Sequence, residues 1–170
     1  MQAIGIFSAA ALMLSLIALK HGANPDPELQ LDFWIGDWTC AGELTGKDGS
    51  KVRTEGTNSI TREFDKKVVF EHFDSRELKG MSVSVYDPNA KLWRQTWVDN
   101  SGSYISFTGG SEQGQFIFTT GPRTSDGKRK ARMVFRNIKA DSFDWDWEKT
   151  KDGGKIWTNE WHLHYVRKAR

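Results

Sequence analysis

The chain has 170 residues, 38% of them hydrophobic and 12% aromatic, and its 24 basic and 22 acidic side chains leave a formal charge of +2. That length suits one domain, and so even a balance lacks the basic surplus of a nucleic-acid-binding surface. Cys40 is the only cysteine, so no intrachain disulfide forms and stability must come from the core.

The first element is the uncharged run Ile4 to Leu19, "IGIFSAAALMLSLIAL". It is short for a membrane span, which takes roughly 20 apolar residues. It sits at the N-terminus and is followed by Lys20 and the proline-containing "ANPDPE". This pattern predicts a signal-peptide core, with residues 1–23 as the signal. The mature chain is then periplasmic or secreted, with no stable membrane insertion. An uncleaved anchor is the alternative, and it leaves the body on the same side. Removing residues 1–23 removes only Lys20 and leaves 23 basic against 22 acidic side chains. Residues 24–36 are predicted as a linker and plug segment, and 37–168 as the folded domain.

From residue 36 onward, short runs rich in Val, Ile, Thr, Phe and Trp alternate with turn residues. Turn signals such as Lys47-Asp48-Gly49, Asp87-Pro88-Asn89, Asn100-Ser101-Gly102 and Asp126-Gly127 separate ten predicted strands. They lie near 37–44, 51–62, 67–76, 81–86, 92–98, 103–109, 115–120, 130–138, 143–149 and 157–167. No stretch of the body supplies a crossover helix, so the strands form an antiparallel meander. Closing it removes the two exposed edges. The predicted fold is all-β, an antiparallel up-and-down barrel of about ten strands.

Alternation assigns the faces. Trp157, Asn159, Trp161, Leu163, Tyr165 and Arg167 share one face of the last strand, and Trp93, Gln95 and Trp97 one face of the fifth. In the ninth, Phe143, Trp145 and Trp147 oppose Asp144, Asp146 and Glu148. The aromatic faces are predicted to point inward, since the opposite faces carry most of the charge. Each buried aromatic removes roughly 150–250 Å² from water. At about 25 cal/mol per Å² this is about 4–6 kcal/mol each as an upper bound. For the third strand, the Val68–Phe70–His72 face is the more apolar and is assigned inward, which puts Glu71 outside.

Three segments carry a resemblance: "LDFWIGDWTCAG" (31–42), "VYDPNAKLWRQTWVDNSGSYISFTGG" (85–110) and "DSFDWDWEKTKDGGKIWTNEWHLHYVRK" (141–168). Together they resemble a bacterial family of uncharacterised exported proteins that contain a domain of unknown function. The family is similar to the lipocalin-type, or calycin, barrels through its Gly-x-Trp opening. In calycins that tryptophan packs across the closed end under an arginine late in the last strand. The resemblance implies those roles for Trp38 and Arg167. Lipocalins have eight strands. A count of ten is closer to fatty-acid-binding proteins and to haem-binding nitrobindin-type barrels, although the chain has no portal helix pair.

A barrel of this size encloses room for one small ligand. The expected partner is a small apolar or aromatic molecule, held by Trp93, Trp97, Trp145, Trp147 and Trp161. Gln95, Asn159 and His72, with Tyr104, are the polar groups expected to orient it. His72 also carries an alternative, a haem-binding or small-molecule-converting barrel in which it serves as ligand or base. A third reading is a filled core acting through its outer surface. His162 and His164 lie about 7 Å apart along one face, but oppose Trp161 and Leu163, so they point outward and no metal site is assigned. No carboxylate pair, nucleophile elbow or Cys–His arrangement stands out, so no catalytic residue is assigned. "TKDGGKIW" (150–157) resembles the Asp-box hairpin of sialidase propellers, where the motif is structural. A single copy is read as a hairpin lock between the last two strands.

Overall fold

The computed structural model describes residues 26–169. The predicted signal, residues 1–23, lies outside the described residues. Two single-turn 3-10 helices, Pro27–Leu29 and Asp32–Trp34, precede ten strands. These are β1 (Gly36–Thr45), β2 (Lys51–Glu63), β3 (Val68–Ser75), β4 (Lys79–Asp87), β5 (Leu92–Asp99), β6 (Tyr104–Glu112), β7 (Gln115–Thr120), β8 (Lys130–Arg136), β9 (Ser142–Thr150) and β10 (Thr158–Arg167). Each strand pairs antiparallel with its neighbours in sequence, and β1 pairs with β10 to close the barrel. The fold is the expected one, because every turn joins consecutive strands and none has to cross the sheet.

The N-terminal segment folds across one end. Leu31, Trp34 and Trp38 are fully or almost fully buried. The Trp38 indole N–H donates to the Trp34 carbonyl at 2.8 Å. Phe33 meets Phe135 and Phe143 edge-on, with centroids 5.7 Å apart in both pairs. Closure sets Arg167 directly opposite Trp38 in the β1–β10 register. The guanidinium stacks 4.0 Å from the indole centroid and donates to the carbonyls of Ile35, Phe33 and Ala140 at 2.6, 3.1 and 2.8 Å. Gly36 explains the glycine of Gly-x-Trp twice over. Its φ is 131°, and a Cβ there would lie 2.3 Å from Arg167 Nη1.

Two strands depart from the expected faces. In β10 the register with β9 shifts between Asn159 and Trp161. One extra residue in that β-bulge turns the start of the strand over. Asn159 therefore sits opposite Glu148 on the outer face, where its amide donates to Asp146. Trp157 goes with it and lies under Arg132, 4.2 Å from the guanidinium carbon, also outside the barrel. In β3 the face is reversed from expectation. Val69, Glu71, Phe73 and Ser75 are buried, and His72 is exposed. A phenylalanine on each face, Phe70 and Phe73, makes the apolar count ambiguous. The pairings Asn58↔Phe73 and Ile60↔Glu71 settle it, because Asn58 and Ile60 are themselves buried. Tyr104, paired with Val98, is also exposed.

The outer wall of β8–β10 holds an ionic network. Arg132 and Arg136 donate to Glu148 at 2.6 and 2.8 Å. Arg136 also pairs with Asp146 at 2.9 Å, and the Asp146 carboxylate accepts from His162 Nδ1 at 2.8 Å. His164 pairs instead with Asp144 at 2.7 Å. The two histidines of His-x-His thus face separate acids on the outer surface. In the β9–β10 turn, Asp152 accepts from Thr150 Oγ1 and from the backbone N–H groups of Lys155 and Ile156. Gly153 and Gly154 take the positive φ that this hairpin requires.

Candidate functional site

The plug seals one end, and the other end keeps a cavity of about 200 Å³. Its walls come from the inward faces of β3, β5, β6, β8, β9 and β10, with Leu78 from the β3–β4 turn. Four tryptophans line it: Trp97, Trp145, Trp147 and Trp161, with Phe73 among them. Trp161 braces two of the others edge to face. Trp161 meets Phe73 at 5.8 Å and Trp145 at 5.6 Å between centroids. Edge-to-face pairs of this kind fix ring orientation as well as burying area. The Trp161 indole N–H donates to Thr54 Oγ1 at 2.9 Å, which holds the ring in place. Gly80 on β4 makes room for Trp97, since a Cβ there would lie 2.3 Å from the indole.

Not every expected lumen residue faces this cavity. Trp97, Trp145, Trp147 and Trp161 line it. Trp93 is fully buried but lies deeper, toward the plug, where its N–H donates to the Pro27 carbonyl at 3.0 Å. Gln95 points inward and donates to Ser84 at 3.0 Å, and its amide oxygen has no partner. Asn159 and His72 are on the outer surface, for the reasons given above. A haem inside the barrel would find no axial ligand in His72, and a lumenal substrate would find no base there. Among the described residues all three histidines lie on exposed outer positions.

The polar groups of the cavity are different ones. Glu71 on β3 is 7% exposed and lines the cavity. Asn58 Nδ2 and Ser82 Oγ donate to its two carboxylate oxygens at 2.7 and 2.6 Å. Among the described residues it has no ionic partner. Burial pushes its pKa up to about 7, outweighing those two hydrogen bonds. Tyr165 sits beside it, and burial raises its phenol well above the ordinary value. The buried Cys40 thiol is raised to about 11 by desolvation, which makes it an inert packing group. Asp99 stands at the mouth. Burial opposes its charge, but hydrogen bonds from Ser101, Trp97 and Ser103 hold its pKa down to about 2. The Trp97 N–H reaches it at 2.8 Å.

Sequence reasoning missed Glu71. The available signal was the polar character of its neighbours: Asn58 on β2 and Ser82 and Ser84 on β4 are buried polar residues on inner faces. Three such residues on adjoining strands mark a buried polar group that needs partners.

Fold and cavity together define a closed ten-stranded antiparallel barrel with an aromatic chamber at one end and a plug at the other. No family model matches the chain, and no curated protein matches it. Among solved structures it is similar to Rv2717c from M. tuberculosis, with 12% identity and a TM-score of 0.60. The match covers 85% of this chain and 99% of that one. At that identity the likeness is one of fold.

Proposed function

We propose that the protein is an exported barrel that binds a small, mainly aromatic molecule in the chamber lined by Trp97, Trp145, Trp147 and Trp161. The observation that carries this reading is the cavity itself. A lumen built only as a core packs to crystal-like density and leaves few voids larger than a water molecule. Here about 200 Å³ is left among rings that could have filled it. An apolar cavity of about 150 Å³ is enough to bind benzene, so this one suits a guest of one or two rings. Export is supported by the apolar run at 4–19 and by the motif resemblance to exported proteins.

Four lining tryptophans make binding visible. Naphthalene is expected to quench the intrinsic fluorescence saturably, with one site per chain. Met133→Trp, which fills the chamber from β8, is expected to abolish the saturable phase while the protein stays folded. Quenching that rises linearly without saturation, as for free indole in solution, would refute a ligand chamber.

A further inference from the structure

The geometry points to an organic cation as the ligand of the chamber: an aromatic or alkyl ammonium compound, with Glu71 as its counter-ion and the indoles as its walls. This rests on the ligand-chamber reading above and narrows it to one class of molecule.

The lining is unusual in its charge. Two of its side chains, Glu71 and Asp99, are carboxylic acids, and none is a base. A buried carboxylate ordinarily takes a cationic partner, because a poor dielectric strongly disfavours an unpaired charge. Glu71 has two hydrogen bonds from neutral donors and spare acceptor capacity, since a carboxylate offers about four lone-pair sites. The remaining acidic groups that face it are Tyr165 from β10 and Cys40 from β1, and Asp99 from β5 shares its chamber. Asn58 of β2 and Ser82 of β4 are uncharged. Of these groups Glu71 and Asp99 are the two that carry charge at pH 8, and both favour positive charge in the centre of the chamber.

The walls agree with the acid. Indole faces carry negative potential and attract cations, most strongly for tryptophan and most strongly when water is excluded. Phe73, Trp97, Trp145 and Trp161 present several ring faces and edges around one small space. Rings braced edge to face cannot all turn their positive edges inward. A purely apolar guest needs no carboxylate, and a carboxylate guest would meet two like charges. A groove that carries Arg123, Arg129, Lys130, Lys149 and Lys151 adjoins the chamber and shares Ile105 and Trp147 with it, but none of those bases lines the chamber itself.

Phenyltrimethylammonium and tert-butylbenzene have the same shape and differ in charge, and neither titrates. Their affinities for the full mature chain, read by tryptophan fluorescence at pH 8, isolate the charge. The cation is expected to bind at least tenfold more tightly to the wild type. Glu71→Gln keeps the shape and is expected to lose that preference while still binding tert-butylbenzene. In the wild type the cation should also weaken severalfold from pH 8 to pH 5, as Glu71 takes up its proton, with the neutral probe unchanged. Equal affinities in the wild type, a preference that survives Glu71→Gln, or tighter binding of benzoate would overturn the cation assignment and leave the chamber standing. Failure of both probes to bind would overturn the chamber as well.

Discussion

The two ends of the barrel use the same residue types for opposite ends. At the closed end Trp34, Trp38, Phe33 and Phe143 pack with Arg167, and every polar atom of that guanidinium that donates finds a backbone carbonyl. At the open end Trp97, Trp145, Trp147 and Trp161 line an empty space, and Glu71 has no cationic partner among the described residues. The arginine separates them. Where a positive charge is supplied by the chain, the aromatics form a sealed core. Where an acid is supplied instead, the aromatics form a chamber beside a buried carboxyl group that has no ion-pair partner among the described residues.

The sharpest way to break this contrast is to damage the closed end. Trp38→Ala removes a fully buried indole, its hydrogen bond to Trp34 and its cation–π partner. The expected loss is about 3–5 kcal/mol, or roughly 10 °C in melting temperature for a domain of this size. Urea unfolding measures it. Binding of naphthalene by the folded fraction is expected to be unchanged. Loss of binding in an equally stable protein would show that the two ends are not independent.

The closed end was legible in the sequence and the open end only in part. Gly36, Trp38 and Arg167 are fixed by motif, because backbone geometry at Gly36 and strand pairing at Arg167 leave little freedom. The ten strands were legible for a similar reason: every turn but the β3–β4 one, Arg76-Glu77-Leu78, holds or directly follows a glycine or an aspartate that turns the chain. The chamber depends on faces, and alternation carries only one bit per strand. That bit was lost in β3, where Phe70 and Phe73 sit on opposite sides. It was lost again at the start of β10, where a bulge that no residue type announces sends Asn159 and Trp157 outside. One misread bit exchanged His72 for Glu71, and with it a base for an acid.

Glu71 makes the open end sensitive to pH in a way the plug is not. Its pKa in the fold is about 7, raised by burial from an ordinary value of 4.5. Between those values the folded chain holds a proton that the unfolded chain has released. Stability is then full below about pH 4.5 and falls as pH rises through 7, by on the order of 3 kcal/mol at most. Glu71→Gln has no proton to lose, so it should match the wild type near pH 4.5 and exceed it at pH 8 by about that amount. Asp99 works in the other direction and at lower pH, since its contribution is lost only as pH falls from 3.8 toward 2. Urea midpoints of the wild type and Glu71→Gln at pH 4.5 and 8 test this, in a window where Asp99 stays ionised. A Glu71→Gln variant no more stable than the wild type at pH 8 would mean that the wild-type carboxylate is already compensated.

Gly80→Ala is the counterpart of Trp38→Ala with a smaller cost. The new Cβ would lie 2.3 Å from Trp97 Cζ2 and 2.6 Å from the Val98 carbonyl oxygen. The strand is held on both sides by β3 and β5, so the indole has to move. It has free space on its cavity side, and that is where a displaced ring goes. Overpacking of this size costs about 1–3 kcal/mol: ring movement into the void relieves the indole contact, and the contact with the Val98 backbone oxygen remains. The chamber shrinks in exchange. Naphthalene affinity should fall tenfold or more, while the urea midpoint drops less than in Trp38→Ala. Together the two substitutions dissociate the functions of the ends: one loses stability and keeps binding, the other loses binding and keeps most of its stability. Binding retained at full strength in Gly80→Ala would place the ligand away from Trp97, and would leave its indole as part of the core.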